Sequence, residues 1–225
     1  MKLYLNPVAA FSRPLVLFVK GNDVEAELVN VDVFGGACQS DEFIKMNPNK
    51  QIPVLEDDGF WLTECAAILR YMANKMGSPT YPKDLRHRAK VDEALDWFNT
   101  GFARDFQYNF VYPQILPNAR RPTEEANRAT IAWGRQKARD WMTILNTQWL
   151  GKGNRYLTGN DITIADYFAS GSIHVGELIG EDFSSYPNVK RWLQTMKTLP
   201  GWETVDYHVN GLVEAMRGPN YVKLD

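Results

Sequence analysis

Cysteine is scarce in this 225-residue chain, with only Cys38 and Cys65 present. Two thiols do not suggest a disulfide framework, and a reducing compartment is the expected setting. A surplus of one charge is also missing. Lys and Arg number 25 against 27 Asp and Glu, a formal net charge of −2, so neither nucleic acid nor an anionic membrane is an expected partner. No apolar run approaches the ~18 residues of a membrane span. The opening Met1-Lys2-Leu3-Tyr4-Leu5-Asn6-Pro7 is too short in apolar run for a signal peptide. The cytoplasm is the expected location, with the periplasm second. His87, His174 and His208 show no metal-ligand spacing, so no metal is expected, and neither a phosphate loop nor a Ser-His-Asp arrangement is present. What the chain does have is an ordinary share of hydrophobic (44 %) and charged (23 %) residues. Seven Trp, eleven Phe and ten Tyr give material for a core and an apolar pocket. The length allows one or two domains.

The first ~80 residues alternate strand and helix patterns. Strands are expected at 2–5, 27–33, 52–55 and 60–62. The second has Val29, Val31 and Val33 on one face, and the last two are joined by a Glu56-Asp57-Asp58-Gly59 hairpin. Helices are expected at 12–20, with Ser12 as N-cap and Pro14 in the first turn; at 40–46, capped by Ser40; and at 64–75. The order β-α-β-α-β-β-α predicts a mixed four-stranded sheet. After Pro82 the strand patterns vanish and amphipathic helices follow at 85–108, 123–150, 163–176, 186–199 and 202–215. The expected division is 1–77, a Gly/Pro/Ser-rich linker at 78–85, and an all-helical 86–225. Thr163, Asp166 and Ile162 read as cap, reciprocal cap and hydrophobic staple of a core helix, a folding feature.

The most informative stretch is Asn47-Pro48-Asn49-Lys50-Gln51-Ile52-Pro53-Val54-Leu55, followed by Leu62-Thr63-Glu64-Cys65-Ala66-Ala67-Ile68. Pro53 stands at the front of an apolar strand, where its missing N–H marks an edge or a special turn. Glu64-Cys65 opens a helix whose free N–H groups and dipole favour an anion. A backbone edge beside a helix N-terminus suits a small anionic peptide.

In this order and spacing, these residues resemble the cytosolic glutathione transferases, most closely theta-like and related bacterial members. Asp161-Ile162-Thr163-Ile164-Ala165-Asp166, Tyr186-Pro187-Asn188-Val189 and the Trp192 helix extend the resemblance over nearly the whole chain. It implies an α/β plus all-α protein, with a thioredoxin-like N-terminal domain on an all-helical C-terminal domain, usually a homodimer, with glutathione as co-substrate. Pro53 would be a cis-proline, either for the fold alone or with Ile52 pairing its backbone to the cysteinyl part of glutathione. Glu64 would grip the γ-glutamyl end. Cys65 stands where a serine is usual, so it is either a small helix residue or a contact through its N–H and weakly donating thiol. Gln51 would meet the glycyl end, assisted by Cys38, Gln39 or Lys50.

The resemblance also implies a Tyr, Ser or Cys that stabilises the thiolate near the first helix. That place falls on Ala9 or Ala10, which offer no hydroxyl or thiol and argue against thiol–disulfide exchange. Ser12 is the candidate donor, with plain helix capping as its alternative. Tyr4 is a second candidate, with a core or interface role as its alternative. Arg13 adds positive field or is an ordinary surface or interface arginine. Phe11, Phe106, Tyr108 and Tyr112, with Phe102 and Phe110, are the aromatics expected around an apolar electrophile, some of them as core. Asn99, Arg104 and Asp105 lie where partner-subunit contacts to the γ-glutamyl amine arise. The implied activity is glutathione transfer to an electrophile. The alternatives are a glutathione-dependent peroxidase, isomerase or dehalogenase, or a catalytically weak glutathione-binding or interaction protein.

Overall fold

The computed structural model describes residues 1–151, 153–215 and 220–225. The N-terminal part runs β1 (Lys2–Leu5), α1 (Arg13–Gly21), β2 (Glu27–Asn30), α2 (Asp41–Met46), β3 (Val54–Asp57), β4 (Phe60–Thr63) and α3 (Cys65–Lys75). The sheet order is β2-β1-β3-β4. β1 and β2 are parallel, whereas β3 is antiparallel to both of its neighbours. This is the mixed sheet that the pattern predicts, since α1 supplies the crossover a parallel pair needs and a tight turn suffices for β3–β4.

Local chemistry explains several boundaries. Ser40 Oγ accepts the Phe43 N–H at 3.2 Å and caps α2, with Asp41 and Glu42 in the favourable first turn. The β3–β4 turn shortens to Asp58 and Gly59, at φ 51° and 82°, as a twisted two-residue hairpin requires. The Ile52–Pro53 bond is cis. β3 starts at Val54, two residues later than the sequence pattern predicts, because Pro53 has no N–H to give the ladder. β2 stops at Asn30, short of the expected Val33. The Val31 N–H makes the last bond to β1, at 2.9 Å to the Leu5 carbonyl, while the Asn6 side chain donates to the Val31 carbonyl; the Val31 side chain packs with Cys38, Phe43 and Val54 in a small cluster.

Everything after α3 is helical except for turns and one isolated bridge, among the described residues. α4 (Leu85–Trp97) continues without a break through a π-wound stretch, Phe98–Val111, into α5 (Tyr112–Ile115). α6 (Glu124–Ile144) carries a similar tail. α7 (Ile164–His174), α8 (Pro187–Met196) and α9 (Trp202–Ala215) complete the bundle. Every residue of α7 is buried, so this helix is the axis of the molecule. The fully buried Asp166 anchors it by accepting from the Leu157 and Thr163 N–H groups at 2.9 and 3.0 Å, the Thr163 hydroxyl at 3.1 Å, and Trp192 Nε1 at 2.9 Å. Burial pushes this carboxyl up, and its four donors work against that rise.

α1 lies against α7. Contact is close at Gly171, where a Cβ would sit 2.2 Å from the Ala10 carbonyl oxygen. The helical half thus touches the turn between β1 and α1, which forms one wall of the site.

Candidate functional site

Two adjoining cavities lie along this seam. The smaller, about 120 Å³, is lined by Asn47, Gln51, Ile52, Pro53, Glu64, Cys65 and Asn99, with Phe11 and Tyr108. The larger, about 390 Å³, takes Phe11, Gln51, Ile52 and Tyr108 as shared walls and adds Cys38, Gln39 and Lys50 on one side. Tyr112, Ile115, Leu116, Val175, Leu178 and Leu212 come from the helices and the loop after α5.

Two thirds of the small cavity's lining comes from residues 47–65. Asn47 holds the approach to the cis bond: its Nδ2 donates to the Gln51 carbonyl at 2.6 Å and its Oδ1 accepts the Asn49 N–H at 3.0 Å. Lys50 turns the chain with φ 58°. Glu64 stands immediately before α3 at φ 69°, a strained position for a non-glycine residue, and its side chain caps no helix N–H. Strain of this kind, held by the surrounding fold, is typical of ligand clamps. The first N–H groups of α3 have no intrahelical acceptor, so a carboxylate and helix-start donors face the same small volume. An ammonium and a carboxylate on one carbon, as on a γ-glutamyl end, match that pairing. Cys65 is 4 % exposed; burial, and then Glu64, push its thiol well up. It stays neutral, which disfavours reactive chemistry there. Burial raises the Cys38 thiol as well.

The turn between β1 and α1 is locked at both ends. Asn6 Nδ2 donates to the Val31 carbonyl at 2.9 Å and its Oδ1 accepts the Val8 N–H at 3.1 Å. Ala9 donates its N–H to the Asn6 carbonyl and accepts from the Ser12 N–H, at 2.9 and 3.0 Å. Beneath the turn, Arg13 Nε donates to the Pro7 carbonyl at 3.2 Å and Nη2 to the Val8 carbonyl at 2.7 Å. Val8, Ala9, Ala10 and Phe11 thereby present a fixed edge to the larger cavity.

Comparison with known proteins gives this geometry a context. The family description "Glutathione S-transferase, N-terminal domain" matches residues 1–74, and "Glutathione S-transferase, C-terminal domain" matches residues 136–200. Human glutathione S-transferase theta-1 is 32 % identical over 208 residues, spanning 89 % of this chain and 84 % of that protein. The chain belongs to the glutathione S-transferase family. Drosophila melanogaster glutathione S-transferase D7 is similar to this member at 30 % identity over 207 residues, spanning 90 % of this chain and 87 % of that protein. The structure of human glutathione transferase theta-2, solved in complex with glutathione, matches with a TM-score of 0.82 at 28 % identity, covering 96 % of this chain and 88 % of that one. The fold is accordingly the thioredoxin-like N-terminal domain with an all-helical C-terminal domain of this transferase family.

Most of the expected site residues of this transferase fold come together. Gln51, Ile52, Pro53, Glu64 and Cys65 line the smaller cavity. Cys38, Gln39, Lys50 and Tyr112 line the larger, and Phe11 and Tyr108 line both. Three expectations need correction. Ser12 is fully buried and lines neither cavity. Its hydroxyl accepts the Asn6 N–H at 3.3 Å, and its backbone is already helical (φ −88°, ψ −35°), so it makes no side-chain cap either. Tyr4 also lies outside both cavities, half-buried on β1 against the Val31–Cys38–Phe43–Val54 cluster and 6.0 Å from the Trp61 ring. Phe106 is fully buried in a row with Phe98, Phe102 and Phe110 along the inner face of the long helix, so it is core.

Asp105 is likewise structural. It is buried and accepts from Arg104, Asn109 and Trp141 Nε1, the last at 2.9 Å. Of the three residues read as partner-subunit contacts, only Asn99 lines a cavity. Among the lining residues that the sequence reading misses are Asn47, Val33, Phe34, Val175, Leu178 and Leu212. Asn47 had a signal, since an Asn-Pro-Asn turn before a strand invites Asx hydrogen bonding. The last three come from helix faces whose apolar residues look alike in sequence.

Proposed function

We propose that the chain activates the thiol of glutathione and transfers it to an apolar electrophile. Glutathione is the co-substrate. The observation that carries this reading is the junction of a small polar cavity, closed by the cis Ile52–Pro53 edge and Glu64, with a larger apolar one along Phe11, Ile52 and Tyr108. The γ-glutamyl ammonium meets Glu64 and its carboxylate meets the start of α3. The cysteinyl backbone pairs with Ile52 as an added strand, and the glycyl end reaches Gln51, Gln39 and Lys50. The sulfur then lies at the junction, facing the electrophile.

A free thiol near pKa 8.5 is only a few per cent ionised at neutral pH. Lowering it by ~2 units requires about 2.7 kcal/mol of preferential thiolate stabilisation. Ala9 and Ala10 offer no side-chain donor, and Ser12 is buried outside both cavities. The one hydroxyl common to both cavity linings is that of Tyr108. Burial, and then Glu64, raise its pKa, so it remains a protonated donor. We assign Tyr108 the hydrogen bond to sulfur, supported by the N-terminal end of α1. The thiolate attacks the electrophilic carbon, and the leaving group departs with its bonding pair. The same reading makes the protein a cytoplasmic homodimer, with residues 1–77 seating glutathione and 86–225 the electrophile. The apparent mass in sedimentation tests the dimer.

The mechanism is tested by following thiolate absorbance of bound glutathione against pH. Wild type is expected to titrate one to two units below free glutathione. Tyr108→Phe is expected to lose most of that shift, since a hydrogen bond to a charged group contributes about 1.5–3 kcal/mol. An unshifted wild type would leave only the binding protein expected as the alternative. A full shift in Tyr108→Phe would move the role to backbone N–H groups.

A further inference from the structure

Arg13 carries an observation that the glutathione seat leaves unused. It lines the larger cavity, yet the residue is 1 % exposed. Nε and Nη2 are engaged by the Pro7 and Val8 carbonyls. Nη1 has no acceptor among the described residues. The carboxylates that act on this guanidinium, Glu177 and Asp206, do so at a distance and are engaged elsewhere. Glu177 pairs with Lys197 at 2.8 Å and His174 at 3.1 Å, and Asp206 accepts Trp202 Nε1 at 2.8 Å. Burial lowers Arg13 to about 10, partly offset by Tyr112, Glu177 and Asp206. A buried cation with an orphaned donor and no carboxylate in contact is costly unless a ligand completes it.

Tyr112 lies within electrostatic range of Arg13 and lines the same cavity. Its hydroxyl has only a long contact, 3.5 Å, to Gln107 Oε1. Burial holds this phenol far above its ordinary pKa, so it is a neutral donor. Two residues with under-used donors, carrying one positive charge between them, thus line a cavity to which the helical half also gives Ile115, Leu116, Val175, Leu178 and Leu212 beside Tyr108.

We propose that Arg13 Nη1 and the Tyr112 hydroxyl form a carboxylate seat in the larger cavity, so that the preferred electrophile is an apolar molecule bearing one carboxylate. Two donors match two oxygens, and one uncompensated charge matches a monoanion. The aliphatic walls take the apolar body. This inference rests on the transferase reading, because it assigns the second substrate of that reaction.

The test uses product-like ligands, so that it reads binding without turnover. S-(4-carboxybenzyl)glutathione, its 4-carbamoyl analogue and S-benzylglutathione are titrated calorimetrically against the full chain at pH 7. The carboxylate ligand is expected to bind about tenfold or more tighter than the amide, the advantage of a charge-assisted bond. Arg13→Gln and Tyr112→Phe are each expected to remove most of that advantage. Because Arg13 also braces the Pro7–Val8 turn, Tyr112→Phe keeps the test decisive if Arg13→Gln does not fold. Equal affinity for the charged and neutral ligands in wild type would overturn the seat and leave the transferase reading intact. An advantage that survives in Tyr112→Phe would overturn the assignment to this pair. Failure of all three ligands and of glutathione itself would overturn both.

Discussion

The two cavities are built in opposite ways. The smaller draws six of its nine lining residues from 47–65, where a cis bond, an Asx turn and a helix start follow one another along the chain. The larger shares residues 51 and 52 but also gathers a turn near residue 9, a loop near 34, the long helix near 112, the turn after α7 at Val175 and Leu178, and α9 at 212. In the proposed reading, glutathione is met mainly by a locally built backbone edge with Glu64 and Gln51 beside it. The electrophile is met by side chains that only packing brings together. A site divided this way can change its second substrate without disturbing its first.

The comparison can be broken most severely at Asp166. Asp166→Ala strips the acceptor from the Leu157 and Thr163 N–H groups and from Trp192. The expected loss is about 3–5 kcal/mol in urea unfolding, from several buried donors left unpaired. Since the turn that follows α7 supplies Val175 and Leu178 to the larger cavity, S-benzylglutathione affinity in the surviving fold should drop more than glutathione affinity. Equal losses would show that the two cavities are one cooperative unit.

Glu64→Gln attacks the other side. Glutathione affinity by calorimetry should fall about tenfold to hundredfold, the effect of losing a charge-assisted contact. Folding stability should change by less than about 0.5 kcal/mol, because the Glu64 side chain makes no helix cap. A large stability loss would mean that this residue is structural.

The smallest effect is a pH dependence confined to the helical side. Burial, opposed by Glu177, lowers the pKa of His174, which is 1 % exposed. A histidine whose folded pKa lies below its unfolded ~6.5 lets the unfolded chain bind more protons, so stability is complete above ~6.5 and is lost as pH falls toward the folded pKa. Thermal midpoints should therefore drop below pH ~6.5 in wild type. His174→Gln should flatten that limb. A wild-type profile that is already flat would remove His174 from this role.

Much of the smaller cavity was legible because its signals are short-range. Proline before an apolar strand, an acidic residue at a helix start and the Ser40 cap each act within a few residues. The misreadings share one cause. Ser12 has the grammar of a cap, but the chain folds back and gives its hydroxyl to the Asn6 N–H instead. The strand position of Tyr4 says nothing of its surroundings, which Trp61 on β4 and the cluster beneath the sheet decide. Phe106 stood in a four-residue row with Phe98, Phe102 and Phe110, a spacing that by itself describes a buried helix face.

By itself, the sequence determined the alternation of strands and helices, the change to an all-helical second half, the proline at a strand edge and the acidic helix start. These follow from backbone sterics, hydrogen-bond grammar and hydrophobic periodicity, which act over a few residues. Only the tertiary structure decided that Arg13 is buried with an unpaired nitrogen, that Tyr108 stands at the junction of both cavities, and that Val175, Leu178 and Leu212 close the larger one. Those placements depend on contacts across tens to hundreds of residues, where many apolar faces are interchangeable in sequence and close packing selects one arrangement.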